Sequence, residues 1–335
     1  MLSRCLLLIP LLLLSPSLTE SVQPSTSNHT SNHAVILSSS RFWFNYRHAV
    51  NALSIYNLVK QNGIPDENII LMLADEFPTN PRNPLKNQMY DGGSKRISLI
   101  DSETQIDYRG DDVTVENLRN VLLGRSAVTA STGSSSRRVL HTDANSNVLL
   151  YWTGHGGDSF FKFQDVEEIT STDLKHILQH MQFNSLLFLA DTCQAFTLGN
   201  QLADVPYVYM IGSSLKNENS YAHHSDADLG LSVIERYTHQ FMQVIRQQQQ
   251  QRGDRPILSH MSLAQAMVNP FDYRHQGAHV GVTRTMGTKP LEQVPLSDFF
   301  AGTMPPRHAA RAELVEKPNV GRDWADALKV SALSS

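Results

Sequence analysis

The stretch Ser185-Leu186-Leu187-Phe188-Leu189-Ala190-Asp191-Thr192-Cys193-Gln194-Ala195 decides how this chain is read. Ser185 to Ala190 is a short apolar run, the pattern of a strand buried on both faces. Asp191 and Thr192 end the run and deliver Cys193 at the strand's carboxyl tip. A thiol kept only for packing would sit more naturally inside the strand. A cysteine nucleophile needs an accessible tip and a base within hydrogen-bond reach.

A second strand ends upstream in a comparable way. Val148 to Trp152 is followed by Thr153-Gly154-His155-Gly156-Gly157. The glycines let the backbone turn sharply and leave the imidazole and the neighbouring N–H groups uncovered. One such N–H could stabilise an oxyanion. Alone, the triplet reads more readily as a loop histidine without a role. If the two strands are sheet neighbours, His155 is placed to serve as the base for Cys193.

The elements around this pair alternate. Ala34 to Ser38 is a buried strand. A helix carrying Ala49, Ala52, Leu53, Tyr56 and Val59 follows, with Gly63 suited to its C-terminal cap. Ile69 to Leu73 is a strand, and Asn80-Pro81-Arg82-Asn83-Pro84 a loop. Residues Arg96 to Asp107 suggest a hairpin, and Val115 to Leu123 a helix with Thr114 as N-cap. Ser126 to Asn147 is rich in Ser, Thr and Asn and reads as a mobile insertion. Ser171 to Met181 is a helix and Val208 to Ile211 a strand. Asp228 to Gln250 reads as one long helix with Ile234, Tyr237, Phe241 and Val244 on one face. Such alternation calls for an α/β fold, a mostly parallel sheet with helices on both faces. In such sheets ligands bind beyond the carboxyl ends of the strands, where Cys193 and His155 lie.

Bulk properties narrow the classes. The chain has 335 residues, 41% hydrophobic and 18% charged, with a formal net charge of -4. That is an ordinary globular composition, and it gives no support to a nucleic-acid partner. The N-terminus reads as a secretory signal: Arg4, an apolar run from Cys5 to Leu14, then small residues from Ser15 to Ser21. Residues 21–32 form a short polar segment. Of two cysteines, Cys5 leaves with the signal and Cys193 remains. A lone thiol in an oxidising compartment is unusual unless it is used. Asn28-His29-Thr30 is an N-glycosylation sequon, so Asn28 is a candidate acceptor. No later stretch resembles a membrane span, and the end is not a Lys-Asp-Glu-Leu retention signal.

Several stretches together resemble the legumain-type, caspase-related cysteine peptidases, and within them the GPI (glycosylphosphatidylinositol) transamidase branch. They are Ser40-Arg41-Phe42-Trp43-Phe44-Asn45-Tyr46-Arg47-His48, Leu71-Met72-Leu73-Ala74-Asp75, Asn80-Pro81-Arg82-Asn83-Pro84, Thr153-Gly154-His155-Gly156-Gly157, Lys162-Phe163-Gln164-Asp165 and Asp191-Thr192-Cys193-Gln194. The resemblance implies a single caspase-like (legumain-like) catalytic domain over 33–305, with 126–147 as its insertion and 306–335 as a tail. It implies a Cys193–His155 dyad oriented by Asn45, which by sequence alone reads as a plain helix N-cap. It implies oxyanion donors at the Gly156 and Cys193 N–H groups. It places Arg47 and His48, and more loosely Asp191, Ser213 and Ser214, around the residue before the cut.

The implied activity is acyl transfer. Cys193 cleaves the C-terminal signal of a precursor protein, and the ethanolamine amine of a GPI lipid accepts the acyl group. No cofactor is required for the chemistry. The implied partners are other subunits of the transamidase complex, precursors carrying GPI signals, and the GPI lipid, in the lumen of the endoplasmic reticulum. The same dyad would also serve a legumain-like asparaginyl endopeptidase, and the fold alone could be a non-catalytic scaffold. Membrane-anchored relatives carry an apolar segment near the C-terminus, so this chain reads as a soluble form associated peripherally with membrane subunits. Thr79 stands where some relatives have a cysteine that links a partner. Asp66 and Asp107 match acidic positions that relatives use for a structural calcium, with Gln105 in place of a third carboxylate.

Overall fold

A computed structural model describes residues 29–93, 96–125, 138–252 and 258–303. The signal segment, Asn28, residues 126–137 and the tail 306–335 lie outside the described residues. The core is a seven-stranded sheet. In chain order its strands are β1 (Ser31–Ser38), β2 (Ile69–Leu73), β3 (Tyr108–Arg109), β4 (Ser146–Thr153), β8 (Ser185–Asp191), β9 (Val208–Gly212) and β12 (Gly281–Arg284). Their spatial order is β12-β9-β8-β4-β1-β2-β3. All pairings are parallel except β12 with β9.

Alternate residues of each strand feed two apolar layers, which is why the runs read as apolar throughout. Ile36, Leu149, Tyr151, Leu187 and Leu189 pack with helices α1 (Tyr46–Gln61) and α4 (Arg236–Arg252). Leu37, Leu150, Trp152, Phe188 and Ala190 pack on the other side with α2 (Val115–Leu122) and α3 (Ser171–His180). Thr114 caps α2 by accepting the Asn117 N–H, as the sequence suggests. Gly63, at φ 92, closes α1 in the left-handed region.

The order of strand addition positions the site. The chain begins in the sheet's interior at β1, extends outward to β2 and β3, then returns to β4 on the opposite side of β1. The loops after β1 and β4 therefore part company at a topological switch point. Beside it, β4 and β8 pair in register up to Thr153 with Asp191. His155 and Cys193 each follow that couple by two residues. A small antiparallel sheet, β5 (Gly156–Gly157), β6 (Phe160–Phe163) and β7 (Glu167–Thr170), folds over the same edge.

Three sequence expectations are corrected. Residues 96–107 contain no strand; they run as a loop whose Leu99 N–H donates to Met89 O. The insertion is shorter at its C-terminal side, because Val139 and Leu140 are buried and Ser146 already opens β4. The long helix begins at Arg236, not near Asp228. Before it lies a hairpin of β10 (Ala222–Asp226) and β11 (Leu231–Glu235), turned at Gly230 with φ 69. Ile234 thus belongs to a strand, and its spacing from Tyr237 and Phe241 only mimicked helical periodicity.

Gly212 at the end of β9 touches the turn after Cys193: a Cβ there would lie 2.5 Å from Phe196 N and 2.9 Å from the Ala195 carbonyl carbon. Both neighbours are backbone and cannot rotate away. Gly212→Ala is expected to lower stability by about 1–3 kcal/mol, seen as a lower denaturant midpoint.

Candidate active site

Cys193 is half-buried at the tip of β8. Gln194, which follows it, sits in the left-handed region at φ 52 and ψ 30 and turns the chain sharply into Ala195–Gly199. The turn is held from both sides. Gln194 N–H donates to Glu218 O (2.9 Å), and Ala195 N–H donates to Ser214 Oγ (3.1 Å). Thr192 Oγ1 donates to Gly154 O at 2.9 Å, tying the cysteine loop to the histidine loop.

The glycines around His155 act through closeness rather than unusual dihedrals, since none of them has a positive φ. A Cβ on Gly156 would lie 2.8 Å from Thr192 Oγ1, and one on Gly154 would lie 2.3 Å from Ser39 Oγ. They let the loops after β1, β4 and β8 approach one another. The His155 main chain is fixed by Lys162 N–H donating to its carbonyl at 2.9 Å.

Asn45 is buried and caps no helix N–H with its side chain. Its Nδ2 donates to Arg41 O at 2.6 Å, which fixes Oδ1 as the acceptor facing His155 Nε2 at 2.9 Å. Nε2 therefore carries the proton, and Nδ1 keeps its lone pair. The helix-cap reading of Asn45 is thus corrected: its side chain partners an imidazole.

Arg47 and His48, in the first turn of α1, both have engaged side chains. His48 is buried, with Nε2 3.1 Å from Glu235 Oε1 and its ring edge-on to His155 at 5.1 Å between centroids. Arg47 Nε donates to the same Glu235 oxygen at 2.6 Å, and its Nη1 donates to Phe44 O. Asp191 lies beneath them, fully buried, accepting from Thr238 Oγ1 (2.7 Å) and Ser220 Oγ (2.9 Å). Ser214 is committed to the cysteine loop, donating to Thr192 O at 2.8 Å. Ser213 reaches the same carbonyl at 3.4 Å.

Sequence reasoning missed Glu235. It ends β11, holds Arg47 and His48 together, and has a buried Oε2 without a partner among the described residues. It was concealed inside the supposed long helix. The strand-like run Leu231-Ser232-Val233-Ile234 after Gly230 is the signal that exposes it.

Burial dominates the electrostatics. It pushes the Cys193 thiol above its ordinary 9.0, with Glu235 and Asp191 adding to the effect. Burial, helped by Arg47, holds His155 below 6.5. Burial also lowers His48 to about 4 and, with the Glu235 charge, raises Asp191 to about 6. Both shifts favour the uncharged forms, a thiol at Cys193 and a neutral imidazole at His155.

The residues proposed for calcium do not fit one. Asp66 accepts from Tyr56 OH and pairs with Lys60 at 3.0 Å. Asp107 accepts from Leu71 N–H and pairs with Arg138 at 2.7 Å. The Arg138 guanidinium also donates to Asp66 O, Ile69 O and Gln105 Oε1. It gathers the oxygens that a hard cation would need. Among the described residues no group of three His, Cys, Asp or Glu side chains is placed to hold a metal.

With this geometry in view, comparisons place the chain. The Peptidase C13 family model matches residues 32–300. The chain belongs to the peptidase C13 family. C13 relatives include a Drosophila melanogaster protein described as a putative GPI-anchor transamidase, 40% identical over 297 residues, covering 84% of this chain and 77% of that one. The Saccharomyces cerevisiae GPI-anchor transamidase is 39% identical over 288 residues, 84% of this chain and 67% of its own length. The Homo sapiens GPI-anchor transamidase is 43% identical over 216 residues, 63% of this chain and 53% of its own length. Among solved structures, caspase-1 from Spodoptera frugiperda aligns over 78% of this chain and 92% of its own, at 10% identity and a TM-score of 0.40.

Two measurements check these assignments. Alkylation of Cys193 by iodoacetamide in the free protein is expected to titrate above pH 9.0, without the low-pH plateau of a thiolate–imidazolium pair. Calcium or a chelator is expected to leave the melting temperature unmoved, while Arg138→Ala lowers stability by about 2 kcal/mol by stranding Asp107.

Proposed function

We propose that this C13 chain is the catalytic subunit of a GPI transamidase, a cysteine-type enzyme using a Cys193–His155 dyad. The observation that carries the reading is the 39–40% identity to transamidases of fly and yeast over 84% of the chain. The His155–Asn45 hydrogen bond supports the assignment of the base.

In this reading His155 Nδ1 takes the Cys193 proton as Sγ attacks the carbonyl of a small residue near a precursor's C-terminus. Main-chain N–H groups of Cys193 and Gly156 receive the developing oxyanion. His155 returns its proton to the departing amine, the C-terminal signal leaves, and a thioester remains. The ethanolamine amine of a GPI lipid then attacks. Its excess proton passes to His155 and on to the released thiolate, and the new bond is an amide. The acyl group is carried throughout by the thioester, so the exchange needs neither nucleotide nor metal. Arg47, His48, Glu235 and Asp191 surround the side chain before the cut, with Ser213 beside them. His48 is uncharged near neutral pH, so Arg47 is the cation that balances Glu235.

The proposed setting is the lumen of the endoplasmic reticulum, against membrane-embedded partner subunits. Among the described residues no helix is long and apolar enough to cross a membrane. With threonine at position 79, the partners are held without a bond from that position.

Cys193→Ala and His155→Ala are each expected to abolish anchor attachment in cells lacking the endogenous enzyme, with the double variant no worse than either. Wild-type enzyme given a cleavable peptide and ethanolamine is expected to release mainly the amide. A free acid as the main product, whatever the amine concentration, would mark a hydrolase instead.

A further inference from the structure

The stretch Lys162-Phe163-Gln164-Asp165 takes no part in the proposed chemistry, yet it touches both loops that carry the His155–Asn45 pair. Lys162 N–H donates to His155 O at 2.9 Å. Ser39, fully buried just after β1, donates from Oγ to Lys162 O at 2.6 Å, and its carbonyl accepts the Gln164 N–H at 2.9 Å. The turn after β6 is strained. Gln164 and Asp165 have φ 52 and 62, and Val166 N–H donates back to Phe163 O at 3.0 Å. Left-handed backbone is costly for a residue that carries a Cβ, and glycine would take the position without strain. The chain has glutamine there instead, with its side chain fully engaged.

The Gln164 carboxamide joins separate segments. Its Nε2 donates to Gly110 O at 2.8 Å and to Val113 O at 2.7 Å. With both donors committed, Oε1 faces Arg41 and accepts from Nη1 at 3.3 Å. The same Nη1 donates to Asp111 Oδ1 at 2.8 Å. Asp111 follows Gly110, so one carboxamide holds the backbone beside the carboxylate and accepts from the cation. The Asp111 side chain is 89% exposed, so that ion pair by itself fixes Arg41 only weakly. Arg41 O in turn accepts from Asn45 Nδ2 at 2.6 Å, which leaves Oδ1 to face His155 Nε2 at 2.9 Å. Both sides of the Asn45–His155 bond are thus tied to one stretch. Lys162 holds the His155 main chain, and Gln164 holds Asn45 by way of Arg41.

Resting on the dyad proposed above, we infer that Gln164 is a positioning residue that sets the His155 tautomer through Arg41 and Asn45. Without its carboxamide, the Arg41 side chain is left to the exposed Asp111, and the Arg41 carbonyl loses its fixed direction. The Asn45 carboxamide is then free to turn over and present Nδ2 to the imidazole. A donor facing Nε2 forces that nitrogen to accept, so the proton moves to Nδ1. With Nδ1 protonated, His155 has no lone pair with which to take the Cys193 proton.

The test compares Gln164→Gly, Asn45→Ala and the double variant. Glycine removes the carboxamide and suits φ 52, so relief of the backbone offsets the lost hydrogen bonds and the melting temperature should hold. Gln164→Asn, also tolerant of the left-handed turn but too short to reach Arg41, should behave in the same way. Acylation of Cys193 by a cleavable peptide is followed in the full chain with its partner subunits. No amine acceptor is present, so failure of the transamidase reading leaves the measurement intact. Gln164→Gly is expected to lower kcat about tenfold, with KM little changed. Because Gln164 acts through Asn45, the same change should cost less than about twofold once Asn45 is alanine. The tautomer is read without turnover by nitrogen NMR of the full chain carrying isotope-labelled histidine. His155 is assigned by the signals lost in His155→Ala. Wild type should show the proton on Nε2 alone, and Gln164→Gly a mixture of both tautomers. An unchanged kcat in Gln164→Gly, an unmoved tautomer, or losses that multiply in the double variant overturns the proposal.

Discussion

The rest of the site depends on the parallel pairing of β4 with β8, in register through Thr153 and Asp191. Adjacent strands lie about 4.8 Å apart, so two loops that leave them at matched positions start as neighbours. The Thr192–Gly154 hydrogen bond then fixes one loop on the other. Glycine at positions 154 and 156 follows from this closeness, because a methyl group would collide with Ser39 or Thr192. Neither loop has to close over the site to bring the histidine and cysteine segments together.

Beneath the loops lies a set of buried ionisable groups that settle one another's charge. Glu235 is stabilised as an anion by Arg47 and His48, despite burial that opposes it. Its charge adds to the burial of Asp191 and raises that carboxyl toward neutrality. Two acids in one buried floor are thus divided, one charged and one near its midpoint around pH 6. The floor holds carboxylate acceptors beside a guanidinium. Glu235 Oε2, buried without a partner among the described residues, is an acceptor of the kind a bound residue could engage.

In this chain a guanidinium gathers the oxygens around Asp66 and Asp107. Arg138 reaches two main-chain carbonyls and two side chains, so it ties β2 to the segment that precedes β4. An organic cation delivered by the chain itself needs no ion to be captured, and its loss would leave Asp107 charged and buried. Gln105 is consistent with this arrangement, because a neutral amide acceptor meets a guanidinium without adding negative charge.

The sequence by itself determined β1, β2, β4, β8 and β9, their parallel arrangement, and the strand ends that carry His155 and Cys193. Those signals are local: apolar runs of fixed length, and polar or glycine residues where the runs stop. It also determined the caps at Thr114 and Gly63, which concern a few neighbouring residues. Tertiary structure alone decided what lies opposite each side chain. Asn45 fits a helix cap in sequence, and only the closeness of the β1 and β4 loops turns its carboxamide to His155. His48 and Arg47 fit a solvated first turn until β11 brings Glu235 against them. Helical spacing at Ile234, Tyr237 and Phe241 was coincidental, because a strand followed at once by a helix can place apolar residues at the same intervals. Periodicity reports which face of an element is buried, but the partner on that face is set by contacts far apart in the chain.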